Sequence, residues 1–156
     1  MKKRQYKKFI LKGSKFLLIV FLFDLGLGLA TQKLFFSQKT GKFARMTYSL
    51  EKASADIMIF GSSHANRHYV PEVIESILKK TCYNVGVQGQ EIIFHSTIQE
   101  IILQRTKPQL IILNLDTNWL NQSPSAYDRL GDLFPYYLKY KDILKPILSR
   151  HSKIID

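Results

Sequence analysis

The sequence predicts an α/β fold, a three-layer arrangement with helices on both faces of a parallel sheet, preceded by one membrane-spanning helix. Three short apolar runs alternate with two amphipathic stretches between residues 56 and 115. The order strand–helix–strand–helix–strand with short loops implies crossover connections, which make the strands parallel. A basic N-terminus followed by a long apolar block predicts the membrane helix.

Composition sets limits on function before any motif is considered. The chain has 156 residues, enough for one domain of ordinary size, and 46% are apolar, so a packed core is expected. Seven of the cations behind the net charge of +11 precede residue 16, and the remaining chain carries 16 basic and 12 acidic residues. The charge therefore does not indicate nucleic-acid binding. A single cysteine, Cys82, forms no internal disulfide.

The N-terminal segment predicts a signal anchor. Residues 1–15 form a basic cytoplasmic tail, and residues 16–36 form the anchor, with Lys33 extending towards the membrane surface. Asp24 interrupts the apolar block and is expected near a helix end or facing a partner helix. Alternatives are a signal peptide cleaved after Ala30 and a buried helix of a soluble protein. The positive-inside rule places the rest of the chain outside the cytoplasm.

The segment that follows the anchor divides into a connector and the first half of the sheet. Residues 37–55 are polar and basic and predict a connector with a short helix near 43–53. Residues 56–60 form an apolar run typical of a strand buried on both faces. Residues 70–80 predict a helix with Pro71 in its first turn and one apolar stripe, formed by Val73, Ile74, Ile77 and Leu78.

The second half of the sheet follows the same pattern. Residues 82–87 predict the second strand, residues 90–106 a helix stopped by Pro108, and residues 109–115 the third strand. The aromatic and proline-containing segment 116–156 predicts two helices and no fourth or fifth strand. We therefore expect residues 56–156 to form an incomplete domain, the N-terminal part of a longer protein.

Chemistry-bearing residues follow each predicted strand. Gly61-Ser62-Ser63-His64 follows the first, residues 84–90 with Gly86 and Gly89 the second, and Asn114 to Asn118 the third. The carboxyl ends of parallel strands lie at one edge of a sheet, where ligands bind. A serine hydroxyl, a glycine amide and a side-chain amide are the groups that acyl transfer requires: a nucleophile and donors to the oxyanion.

In these three blocks, residues 56–119, the sequence resembles the SGNH or GDSL-like hydrolase superfamily, in a membrane-anchored bacterial form. The resemblance implies a flavodoxin-like α/β/α fold in which the first-block Gly-x-Ser supplies the nucleophile, here Ser63. Gly89, with Gly86 as the alternative, matches the oxyanion-hole glycine, and Asn118 matches the third-block asparagine. The backbone N–H of Ser63 completes the implied oxyanion hole.

The resemblance also implies a substrate class and partners. It implies an esterase or acyltransferase acting on ester-linked acyl groups of envelope carbohydrate, with no cofactor. The partners would be the lipid bilayer, a membrane O-acyltransferase and envelope polysaccharide, and not nucleic acid. The chain departs from the family at Ser62, where Asp is usual, and in Asp116-Thr117-Asn118-Trp119. It also lacks the family's Asp-x-x-His, which supplies the base.

Structural roles compete with each of these assignments. Ser62 and Ser63 also suit a helix N-cap, the glycines suit turns, and Asn118 suits an Asx turn. Further residues are expected to line the site or to have structural roles: Ser62, His64, His68 and Trp119. The position of His64 directly after Ser63 suggests a dyad, but neighbouring side chains at a turn usually point apart. His95 is interpreted as a helix residue rather than a base, and the histidine spacing predicts no metal site. Two rival functions are an α/β-hydrolase, which needs strands before residue 56, and a non-catalytic tethered module or truncated pseudo-enzyme.

Overall fold

A computed structural model of the chain describes residues 2–120 and 124–143. The chain divides into two compact units, residues 1–39 and residues 40–156. The first unit contains one helix, α1 (Lys2–Phe36), in which the basic tail and the apolar block are continuous. The helix is long and apolar enough to cross a membrane, and its apolar residues are exposed. This agrees with the predicted membrane span or signal anchor.

The second unit contains the predicted sheet. Its helices are α2 (Gly41–Glu51), α3 (Ser63–His68), α4 (Pro71–Leu78), α5 (Ile92–Arg105) and α6 (Pro124–Asp128). Its strands are β1 (Ile57–Gly61), β2 (Cys82–Asn84) and β3 (Leu110–Asn114). Short 3₁₀ segments occupy Thr117–Leu120, Arg129–Tyr136 and Lys141–Ile143. In place of two helices after β3, the described residues there form one short helix and these 3₁₀ segments.

All three strands are parallel, in the order β2-β1-β3, as the crossover pattern predicts. Ile57 lies opposite Cys82 on one side and Leu110 on the other. Every residue of the central strand β1 is buried. On one face, Ile57 and Ile59 pack with Ala65 of α3 and with Cys82. The turn that follows β1 therefore continues from a strand that is buried along its whole length.

Helix α2 is anchored to the second unit through its buried side chains and its last carbonyls. Met46 and Leu50 are buried, and α2 packs on α5. The Arg105 guanidinium of α5 donates to the backbone oxygens of Ser49, Leu50 and Ala53. The Ser49 and Leu50 carbonyls belong to the last turn of α2, whose carbonyls have no partners within the helix, and Ala53 directly follows its C-cap. The predicted short helix in the connector is thus found, and it contributes to the core.

The outer parts of the sheet are less covered than the sequence predicts. The side chains of Leu110 and Leu113 in β3 are 46% and 40% exposed. Helix α4 contains no buried residue, and of its predicted apolar stripe Val73, Ile77 and Leu78 are exposed. The fourth residue of the stripe, Ile74, packs against the buried cluster beside β1, as Tyr69 and Ile112 do. Within residues 2–120 and 124–143, no further strand pairs with β3.

Gly61 is required where β1 ends. Its φ of +148° lies in a region that favours glycine, and a Cβ there would lie 2.7 Å from the Ala65 Cβ and 2.9 Å from the Asn114 oxygen. We expect Gly61→Ala to lower the free energy of unfolding by about 2 kcal/mol or more. Urea unfolding of the full chain in detergent, followed by far-UV circular dichroism, measures this change.

Gly131→Ala is the matched control for this substitution. A Cβ at Gly131 would have its nearest neighbour, an atom of the Phe134 ring, at 3.8 Å, which is ordinary contact. We expect Gly131→Ala to change the free energy of unfolding by no more than about 0.5 kcal/mol. Equal stabilities of the Gly61→Ala and Gly131→Ala variants would contradict the close approach at the end of β1.

Candidate functional site

The turn after β1 brings two serines to the start of α3. Ser62 is the N-cap of α3, and its backbone oxygen accepts the first helical hydrogen bond, from the Asn66 N–H at 3.0 Å. The Ser62 side chain makes no capping bond, because its hydroxyl donates to Asp116 Oδ2 instead. Ser63 is the first residue of α3 and is half-buried. The capping interpretation therefore holds for the Ser62 backbone and not for its hydroxyl.

The Asp116 carboxylate joins the end of β3 to this turn. One of its oxygens accepts the Ser62 hydroxyl, and the other lies 2.8 Å from His64 Nδ1. Burial acts to raise the pKa of Asp116, but the hydrogen bonds from Ser62 and His64 outweigh it, and the pKa lies below its ordinary value. The carboxylate is therefore ionised at neutral pH and fixes both side chains of the turn.

The residues after Asp116 turn back over α5. The Trp119 N–H donates to the Asp116 backbone oxygen at 3.0 Å, which closes a 3₁₀ turn over Thr117–Leu120. The Trp119 side chain is buried and stacks on the His95 ring, with centroids 5.4 Å apart. Asn118 is exposed beside it. Trp119 thus packs into the core, and this packing holds the loop that carries Asp116 and Asn118.

The two glycines of the turn after β2 have different surroundings. The Gly86 N–H already donates to Asn84 Oδ1 at 2.9 Å, and a Cβ on Gly86 would lie 2.7 Å from the Asn66 nitrogen. The lack of a side chain at Gly86 therefore allows this turn to approach α3 closely. Gly89 has φ +74°, and its carbonyl accepts a hydrogen bond from Arg129. Of the two, Gly89 remains the predicted oxyanion-hole residue.

Asn84 fixes the distance between the second turn and α3. Its side-chain amide donates to the backbone oxygens of Ala65, at 2.7 Å, and Tyr69, at 2.9 Å. The Val87 N–H donates to the Gly61 oxygen at 3.0 Å. These contacts join the turn after β2 to α3 and to the end of β1. The Asp116 side chain likewise joins the turn after β3 to Ser62 and His64. All three strand ends therefore meet around α3.

The predicted site residues are only partly linked by direct contacts. Ser62 and His64 both contact Asp116, and the exposed His68 ring lies 5.5 Å from the His64 ring. Within the described part of the chain, no hydrogen bond joins Ser63, Gly89 and Asn118 to one another. Their convergence on one oxyanion remains a prediction. The same residues contain no cluster of three His, Cys, Asp or Glu side chains able to hold a metal ion.

Asp116 is the residue of this region that the motifs do not assign to the site, because nothing local distinguishes it from an ordinary turn residue. His95 is a packed residue of α5, in agreement with the prediction of a packed or exposed helix residue. It is fully buried between Phe94 and Trp119, and neither of its ring nitrogens has a hydrogen-bond partner.

No protein-family model, curated protein sequence or solved structure matches this chain.

His95 makes stability depend on pH. Burial lowers the pKa of its imidazole from 6.5 to about 4, although the nearby Asp116 carboxylate acts in the opposite direction. Between these values the unfolded chain binds the proton more readily than the folded chain does, so stability falls as the pH falls. Between pH 7 and pH 5, His95 lowers the free energy of unfolding by about 2 kcal/mol.

We expect His95→Phe to reduce this loss of stability by about 2 kcal/mol relative to the unmodified chain. His68→Phe, at an exposed position, serves as the control and should retain the full loss. Urea unfolding of the full chain in detergent at pH 7 and pH 5 compares the three proteins. Parallel pH profiles for the His95→Phe variant and the unmodified chain would show that His95 is not buried as described.

Proposed function

We propose that this protein is a membrane-anchored serine esterase or acyltransferase with Ser63 as its nucleophile. The observation that supports this most strongly is the contact of Asp116, at the end of β3, with both Ser62 and His64, which flank Ser63. This contact joins the ends of β1 and β3 at one edge of a parallel sheet, where the resemblance predicts the first and third blocks. In an open α/β sheet this edge is where ligands bind.

The proposed chemistry follows from the groups at this edge. The Ser63 hydroxyl attacks the carbonyl carbon of an ester, and negative charge develops on the carbonyl oxygen. The N–H of Ser63 lies in the first turn of α3, where backbone donors have no helical partner. Together with the Gly89 N–H and the Asn118 amide, it would stabilise that charge.

The resemblance to SGNH hydrolases supports the rest of the proposal. The substrates would be ester-linked acyl groups of envelope carbohydrate. The partners would be a membrane O-acyltransferase and the polysaccharide itself, with no role for nucleic acid. Helix α1 would anchor the chain in the bilayer with its N-terminus in the cytoplasm. The sheet would belong to a flavodoxin-like α/β/α domain on the outer side.

The second candidate is a non-catalytic, membrane-tethered accessory module or pseudo-enzyme. The specific observation in its favour is that these 156 residues contain no Asp-x-x-His, the block that supplies the base in the resembled family. A serine hydroxyl without a base is a weak nucleophile. The two candidates differ in whether Ser63 reacts with an electrophile aimed at activated serines.

A fluorophosphonate probe distinguishes the two candidates. We expect the full-length chain in detergent to become covalently labelled, and Ser63→Ala to abolish labelling because it removes the attacking oxygen. The control is Ser76→Ala in α4, whose hydroxyl only donates to the Val73 carbonyl of its own helix. Mass spectrometry of the labelled protein identifies the site. No labelling, or labelling that persists in the Ser63→Ala variant, would refute the nucleophile assignment.

Membrane orientation is tested with single cysteines. In a Cys82→Ala background, Gln38→Cys follows α1 and Gln5→Cys lies within the basic segment before the apolar block. A membrane-impermeant maleimide applied to cells with an intact inner membrane should modify only the cysteine at position 38. Modification at position 5, before lysis, would contradict the proposed orientation.

A further inference from the structure

We infer that His64 and Asp116 form the proton-transfer pair for Ser63. This inference rests on the proposed function and goes beyond it by assigning the base. His64 Nδ1 lies 2.8 Å from Asp116 Oδ1, which fixes the imidazole through one nitrogen. With a proton on Nδ1, the other nitrogen, Nε2, is the one able to accept a proton.

The carboxylate that orients His64 is itself held in place. The Ser62 hydroxyl donates to its second oxygen, and the Asp116 backbone oxygen accepts the Trp119 N–H at 3.0 Å. Trp119 is in turn buried against His95. The orientation of the Asp116 carboxylate is thus set by Ser62 after β1, by the Trp119 N–H of its own turn and by the packing of Trp119 on His95. A base oriented by a fixed carboxylate is the arrangement used to activate serine nucleophiles.

His64 fits this role better than the other described histidines. Its side chain is 61% exposed, so the ring is accessible to a substrate, and it directly follows Ser63 in the chain. His68 is exposed on the same helix, but its described contact is with the His64 ring and not with a carboxylate. His95 is fully buried, and its ring nitrogens reach neither solvent nor a hydrogen-bond partner.

The pair completes a balanced reaction. As Ser63 Oγ bonds to the ester carbonyl carbon, its proton moves to His64 Nε2 and the carbonyl π electrons move to the oxygen. Collapse of this intermediate breaks the bond to the alkoxide, which takes the proton from Nε2 and leaves an acyl-Ser63. A water molecule or a carbohydrate hydroxyl then attacks the acyl group, losing its proton to Nε2. Departure of Ser63 Oγ, which recovers that proton, restores the enzyme.

The test is chemical rescue of fluorophosphonate labelling in the full-length chain in detergent. We expect His64→Ala to slow labelling by about 10²–10⁴-fold. Added imidazole should restore much of the rate, because the exposed position leaves room for a free imidazole beside Asp116. His64→Asn places an amide donor near the position of Nδ1 and removes the base. It should be as slow as His64→Ala.

Two further variants serve as controls. Ser76→Ala, on α4 and away from the three strand ends, should label at the rate of the unmodified chain, with or without imidazole. Ser63→Ala should not label under any condition, because imidazole cannot supply the missing oxygen. Far-UV circular dichroism of each variant verifies that the fold is retained.

The outcomes separate the two proposals. Slowed labelling of both His64 variants, with imidazole rescue of His64→Ala, supports the pair. Labelling that depends on Ser63 but is unchanged in His64→Ala, or a slow His64→Ala that imidazole does not rescue, overturns the pair and leaves Ser63 as nucleophile. Absence of labelling in the unmodified chain overturns the proposed function itself.

Discussion

The arrangement of the candidate site depends on one carboxylate, that of Asp116. Parallel pairing places the ends of β1 and β3 side by side, but it does not determine how the turns beyond them are oriented. Asp116 does so by accepting Ser62 on one oxygen and contacting His64 with the other. Because the carboxylate is partly buried and ionised, losing either contact would leave a charge poorly compensated. The turn that carries Ser63 is therefore held from both of its sides.

Close backbone approach provides the second constraint. Gly61 has a positive φ, and a Cβ at Gly61 or Gly86 would lie too close to neighbouring atoms. Because neither residue has a Cβ, the three turns can pack directly against α3. At this short distance the Asn84 side-chain amide donates hydrogen bonds to the Ala65 and Tyr69 carbonyls. The scaffold of the site is thus formed mostly by backbone and by buried amides. The side chains expected to react, Ser63 and His64, remain at least partly accessible at its surface.

Periodicity was sufficient to predict the main elements of the sheet. The three apolar runs contain β1, β2 and β3, and the parallel order follows from the helices between them. Helix α3 was not predicted, since six residues with one buried side chain give no helical period. The stripe on α4 shows the limit of this reasoning: a pattern indicates which side chains share a face, but not whether another element covers that face.

The candidate site was harder to predict because its decisive contacts join residues far apart in the chain. Ser62 and Asp116 are 54 residues apart, and nothing local distinguishes Asp116 from an ordinary turn residue. The burial of His95 also depends on Trp119, which is remote in sequence. The order of the motifs predicts Ser63, Gly89 and Asn118, whereas the contacts of Asp116 with Ser62 and His64 become visible only in the structure.

The most direct test of the account is a crystal structure of the full-length chain with a phosphonate bound covalently to Ser63. The account predicts that the phosphoryl oxygen lies within about 3 Å of the backbone nitrogens of Ser63 and Gly89 and of the Asn118 amide nitrogen. An oxygen directed away from Gly89 and Asn118, or an adduct on a different residue, would contradict the claim that the three strand ends form one acyl-transfer site.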